Sequence, residues 1–92
     1  MTKLVRDRIP LLSNGIFMKI DRATVCDLLK NKLVEEVVEF FKTNSIEELV
    51  DILEVVEALA RCKGVSLAEL LVLKEVKKVE RGGFEEGIVM LS

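Results

Sequence analysis

The stretch EEVVEFFKTNSIEELVD (residues 35–51) decides the fold. Glu36 lies as far before the midpoint between residues 43 and 44 as Asp51 lies after it. Glu39 and Glu48 are placed in the same way. If the chain folds back there as a helical hairpin, each acid faces its counterpart at the same height. Converging carboxylates repel one another unless a cation lies between them, so the stretch predicts a divalent metal site.

Two helices are predicted on either side of this turn. The first begins at Asp21 or Thr24, which are competing caps, and runs to about Lys42 with apolar residues at every fourth position. The second begins at Ser45 and ends before Gly64, because glycine suits the left-handed stop of a helix. The short link between them favours antiparallel neighbours.

A third helix is predicted from Ser66 to Gly82-Gly83. Its start, and that of the second helix, fit the capping box, in which a serine and the glutamate three positions later bond reciprocally to the backbone. The two pairs are Ser45 with Glu48 and Ser66 with Glu69. The first twenty residues are expected to be irregular, and the apolar tail 84–91 to add a strand or dock across a partner.

The second helix has apolar residues around most of its circumference. From Ile46 to Ala60, every residue other than the five acids is Leu, Val, Ile or Ala. A chain of 92 residues is one domain, 1–92, close to the size at which a single core is only marginally stable. The sequence therefore predicts an all-α fold, a helical hairpin plus a third helix. We expect at least two chains to assemble into a four-helix-bundle-like core, as a homodimer or homotetramer.

Composition excludes several functions. The chain has no histidine, which removes most zinc enzymes and histidine-based triads, so a metal must be held by oxygen. A net charge of −2 argues against a general nucleic-acid binder. No run reaches membrane-spanning length, and no signal peptide opens the chain. Cys26 and Cys62 are read as reduced core cysteines of a cytoplasmic protein.

The alternative to a metal site is a solvated helix face. Acids on such faces are usually paired with Lys or Arg four positions later, whereas Glu35, Glu36, Glu48 and Asp51 have no such residue there. Glu48 retains a competing role as the capping partner of Ser45. Glu54 falls level with Lys32 or Leu33 across the hairpin, so a salt bridge explains it and it is left out of the site.

Carboxylate-only ligation favours Mg²⁺ or Mn²⁺ and phosphate-bearing substrates. Basic groups are then needed for the phosphates. The alternative for the helix-borne ones is an ordinary solvated face. The candidates are Lys3, Arg6 and Arg8 in the leading segment, and Lys74, Lys78 and Arg81 on one face of the third helix.

The acidic pattern Glu35-Glu36-x-x-Glu39 followed by Glu48-x-x-Asp51 resembles the all-α nucleoside triphosphate pyrophosphohydrolase superfamily, which includes MazG and dimeric dUTPase. The ends KLVRDRIP (residues 3–10) and ERGGFEEGIV (residues 80–89) resemble its small phosphoribosyl-ATP pyrophosphohydrolase-like branch. The resemblance covers most of the chain.

This resemblance implies cleavage between the α and β phosphates of a nucleotide, giving a monophosphate and pyrophosphate. It implies that magnesium is held by Glu36, Glu39, Glu48 and Asp51, with Glu35 as a further ligand or as the group that activates the water. Two or more ions would suit five acids better than one. Only eight residues separate Glu39 from Glu48, fewer than in many members. The sequence does not indicate a pocket that is specific for one base. The alternative to an enzyme is a non-catalytic helical oligomerisation or regulatory module.

Overall fold

The protein is described here by a computed structural model covering residues 3–92. All of its regular secondary structure over that range is helical, without a strand, which confirms the all-α prediction. Helix α1 spans Ile9–Leu12, α2 Arg22–Thr43, α3 Ile46–Cys62 and α4 Leu67–Arg81. The short α1 was not predicted, since the first twenty residues were expected to be irregular. Its first turn contains a proline, and there the missing N–H needs no partner.

The ends of α2 are fixed by side-chain and backbone chemistry. The Asp21 carboxylate accepts a hydrogen bond from the Thr24 backbone N–H at 2.7 Å, so Asp21 is the cap and the alternative at Thr24 is excluded. At the other end Asn44 has a φ of 52°, the left-handed conformation that asparagine tolerates after a helix. This single residue reverses the chain, so α3 starts at once.

Helix α4 begins with the predicted capping box. Ser66 Oγ accepts from the Glu69 backbone N–H at 3.2 Å, and Glu69 Oε1 accepts from the Ser66 N–H at 3.3 Å. The helix ends at Gly82, as predicted. Among the helices it contacts α3 and not α2. Helix α4 is therefore an appendage to the hairpin rather than part of its core.

A disulfide joins the open end of the hairpin. Cys26 on α2 and Cys62 on α3 are bonded, with their Cα atoms 6.0 Å apart. The prediction of reduced cysteines is therefore wrong, and the cysteines no longer support a cytoplasmic location. The physical reason is the antiparallel register: the two cysteines lie almost equally far from the turn, so packing the helices brings them to the same height.

The hairpin buries little apolar surface. Within residues 3–92, Leu29 and Val55 are the only buried apolar side chains, and they come from α2 and α3 respectively. Large apolar side chains stand exposed on every long helix, for example Phe41, Val50 and Val76. Burial of these surfaces in a bundle of several chains stays a prediction. In the part of the chain that is described, no helix is long and apolar enough to cross a membrane.

Candidate metal centre

Three of the predicted ligands come together where α2 faces the first turns of α3. Glu36, Glu48 and Asp51 each offer a carboxylate oxygen, and these oxygens all lie within 4.8 Å of one another. Glu36 is buried, and the other two are half-buried. The antiparallel hairpin predicted from the sequence thus places acids from both helices at one point.

Glu48 belongs to this cluster and not to a helix cap. The side chain of Ser45 makes no capping bond to α3, so the capping box predicted there is wrong. Ser45 Oγ instead accepts from Thr43 Oγ1 at 3.2 Å. The competing role that the sequence left open for Glu48 is therefore absent, and its carboxylate is free to turn towards Glu36.

The surroundings of Glu48 disfavour its charged form. Loss of water contact raises the pKa of the Glu48 carboxyl, and a hydrogen bond to Glu36 raises it further. The negative charges of Glu36, Asp51 and Glu39 act in the same direction. These surroundings therefore favour either a proton on Glu48 or a cation close to it.

The two remaining predicted acids lie outside the cluster. The Glu39 side chain is 43% exposed, with its Oε1 3.8 Å from Lys42 Nζ. Glu35 Oε1 lies 3.2 Å from Lys3 Nζ and 3.4 Å from Lys32 Nζ. Partial burial acts to raise the pKa of Glu35, but the bonds and charges of the two lysines outweigh it and the pKa is lowered. The two lysines thus favour the ionised form of Glu35.

Two basic residues of the leading segment reach the acids. Arg6 Nη2 donates to Asp51 Oδ1 at 2.6 Å, and Lys3 contacts Glu35 as described. Both residues were predicted as phosphate ligands, and here they neutralise carboxylates of the site. Both side chains are more than half exposed, so the ion pairs are weak and open to exchange.

The predicted basic residues of the third helix are not drawn to the acids. Lys74, Lys78 and Arg81 all lie on α4, which does not contact α2. Lys74 Nζ instead pairs with its neighbour Glu75 at 3.0 Å. The solvated-face alternative accounts for this set better than a role in the site.

Lys32 is a site residue that the sequence reasoning missed. Its Nζ lies 3.2 Å from Glu36 Oε1 as well as close to Glu35. Acids on a helix face are expected to pair with Lys or Arg four residues later, whereas Lys32 lies four residues before Glu36. The predicted salt bridge between Lys32 and Glu54 is wrong: within residues 3–92, Glu54 forms no ion pair, because Lys32 is engaged along its own helix.

A groove of about 640 Å³ opens beside the cluster. Its walls are the leading segment, α2 and α3, and most of its floor is apolar. The lining residues are Leu4, Val5, Arg6, Asp7, Arg8, Ile9, Val25, Leu29, Lys32, Glu36, Asp51, Glu54 and Val55. Glu36 and Asp51 of the cluster therefore line a groove whose surface is mostly apolar.

The donor set fits a hard divalent cation. Three carboxylates from two rigid helices supply oxygen only, which Mg²⁺ and Mn²⁺ prefer, and half-exposed Glu48 and Asp51 leave room for water ligands.

Comparisons of the chain with protein-family models, curated proteins and solved structures find no match.

Proposed function

We propose that this chain is a metal-dependent nucleotide pyrophosphohydrolase that cleaves the α–β phosphate bond of a nucleoside triphosphate or related nucleotide. The observation that carries the proposal is the meeting of Glu36, Glu48 and Asp51 at the edge of the groove. The resemblance of the acidic pattern to the all-α nucleoside triphosphate pyrophosphohydrolases supplies the reaction. The cofactor is Mg²⁺, with Mn²⁺ as the alternative.

The residues of the cluster have distinct roles in this proposal. Glu36, Glu48 and Asp51 hold the ion. When bound, the ion supplies positive charge for the phosphates and acidifies a water for attack. Glu35 is ionised and close by, so it is the group that orients this water or accepts its proton. Glu39 joins only if Lys42 releases it.

The leading segment provides the phosphate ligands. Arg6 and Lys3 are held at the site by exposed ion pairs to Asp51 and Glu35. These two cations would turn to phosphate oxygens once substrate is bound, and the Arg6 guanidinium can form bidentate charge-assisted hydrogen bonds with a phosphate. The same side chains thus compensate the acids before substrate binds and the phosphates afterwards.

Assembly is the second part of the proposal. A hairpin with two buried apolar side chains in the described range lacks the core that a stable domain of this size needs. A homodimer or homotetramer that packs the exposed face of α3 would supply it. Light scattering at micromolar concentration tests this, and a monomer would contradict it.

The activity is tested by pyrophosphate release from a panel of nucleotides with Mg²⁺ or Mn²⁺. We expect Asp51→Asn to reduce release at least 100-fold, because it removes a ligand without changing shape. The matched control is Glu47→Gln, an exposed acid on the same turn of α3, which should leave the rate within twofold. If the parent chain releases no pyrophosphate, or if all three proteins release it equally, the proposed enzymatic activity is contradicted.

The other candidate is a non-catalytic helical oligomerisation or regulatory module. One observation favours it: Lys3, Arg6 and Lys32 already compensate acids of the cluster, so the fold does not require a metal. Such a module would oligomerise, and would release no pyrophosphate from any nucleotide of the panel. The same assay therefore separates the two.

A further inference from the structure

Lys32 differs from the other cations of the acidic site in its burial. Its side chain is 16% exposed, compared with 56% for Lys3 and 53% for Arg6. An exposed ammonium is stabilised mainly by water, whereas one at this depth depends on its carboxylate partners. Lys32 is therefore held at the site far more firmly than the two cations of the leading segment.

The partners of Lys32 are two of the acids that could hold a second ion. Its Nζ contacts Oε1 of both Glu35 and Glu36, at 3.4 and 3.2 Å. A magnesium ion bridging these oxygens would lie about 2.0–2.1 Å from each, in the space that the ammonium occupies. The ammonium and a second ion therefore compete for the same oxygens.

Glu36 can serve Lys32 and one metal ion at the same time. A carboxylate has two oxygens, so Oε1 of Glu36 can accept from Lys32 while the other oxygen remains available to a metal ion shared with Glu48 and Asp51. Glu35 has no such second partner, because it lies outside the three-carboxylate cluster. One ion is thus compatible with Lys32, and a second ion is not.

We propose that Lys32 takes the place of a second metal ion, so that the chain binds a single divalent cation through Glu36, Glu48 and Asp51. This rests on the proposed function, whose resemblance favoured two or more ions. Lys32 lines the groove, so its charge also reaches a bound phosphate. It is a positioning residue for Glu36 and Glu35, and it replaces the charge that a second ion would bring.

The test is a count of Mn²⁺ bound per chain without nucleotide, by electron paramagnetic resonance of free Mn²⁺ at increasing metal concentration. We expect one ion on the parent and two on Lys32→Met, which keeps the length of the side chain but removes the competitor. Lys32→Arg keeps a cation and should bind one. The matched control is Lys30→Met, an exposed lysine on α2, which should also bind one.

Removing Lys32 leaves Glu36 buried without its partner, so circular dichroism must first show that Lys32→Met is helical. Glu35→Gln provides an independent measurement: Glu35 is not a ligand, so the Mn²⁺ affinity should change less than threefold. Two ions on the parent, one ion on a folded Lys32→Met, or a tenfold loss in Glu35→Gln would overturn this inference alone. No binding by any form would overturn it together with the metal-dependent function.

Discussion

The starts of α3 and α4 share a local sequence pattern but differ in structure. Each has a serine followed three positions later by a glutamate, yet only Ser66 and Glu69 form a capping box. At α3 the end of α2 lies alongside and brings Glu36 next to Glu48. Glu48 does not form the capping bond with Ser45 that the local pattern offers, and it lies next to Glu36 instead. This contact is unfavourable because two carboxylates repel each other. The acids that meet at the start of α3 could hold a cation, whereas α4 has an ordinary helix start.

The largest expected effect comes from removing the disulfide that joins α2 to α3. The disulfide closes a loop of 36 residues, and cross-links of that span stabilise a fold by about 3–4 kcal/mol. We expect the double variant Cys26→Ser with Cys62→Ser to lose this amount in urea unfolding followed by circular dichroism. The free energy of unfolding of the parent should fall by the same amount in excess dithiothreitol, while that of the variant should not change when the reductant is added. An unchanged midpoint for the reduced parent would show that α2 is held in place without the bond.

The second effect distinguishes the two helix starts by their response to metal. At a free Mn²⁺ concentration 100 times the Kd, one bound ion stabilises the folded state by about 2.7 kcal/mol. We expect this increment in the parent and in Glu69→Gln, and none in Asp51→Asn. Thermal unfolding with and without Mn²⁺ measures it. A metal-dependent shift that survives in Asp51→Asn would place the ion away from the cluster.

A smaller effect concerns the serines themselves. Ser66→Ala removes a working cap, and such a loss typically costs about 1 kcal/mol. Ser45 makes no capping bond to α3, so Ser45→Ala should change the free energy of unfolding by no more than a few tenths of a kcal/mol. Equal losses in the two variants would mean that Ser45 caps α3 in solution and that Glu48 is not committed to the cluster.

The helices could be predicted because their signals are local. Asp21, Ser66 and Gly82 each fix a boundary through a bond or a backbone angle within a few residues. The antiparallel hairpin followed from the short link at Asn44. The same mirror relation that paired Glu36 with Asp51 also places Cys26 opposite Cys62, so the disulfide was readable in the register. Their small number, their wide separation in sequence and their place on helices indicate reduced thiols instead.

The details of the site could not be predicted, because they depend on competition between partners. Sequence spacing places Glu39 and Glu36 on one side of α2. It does not show that Glu39 pairs with Lys42 instead of joining the cluster. It also could not show that Lys32 would choose Glu36 and Glu35 on its own helix over Glu54 on the next. Such choices are decided by distances of a few tenths of an ångström between side chains.

The smallest effect has opposite signs at the two starts and is seen without metal. In a chelating buffer, Glu48→Gln should stabilise the protein slightly, because an amide removes the repulsion that raises the pKa of Glu48. Glu69→Gln should be neutral or slightly destabilising, since glutamine also serves in a capping box. Urea midpoints of the two variants and the parent measure the difference.

The gain in Glu48→Gln should also depend on pH. The pKa of Glu48 in the fold lies above its ordinary value of 4.5, so the folded chain binds this proton more readily than the unfolded chain. The penalty is complete above the folded pKa and disappears as the pH falls towards 4.5. The midpoints of Glu48→Gln and the parent should therefore converge on acidification. If the difference in midpoint between Glu48→Gln and the parent does not change with pH, the Glu48 carboxylate points to solvent. The two helix starts would then differ only in the capping bond that Ser45 does not make.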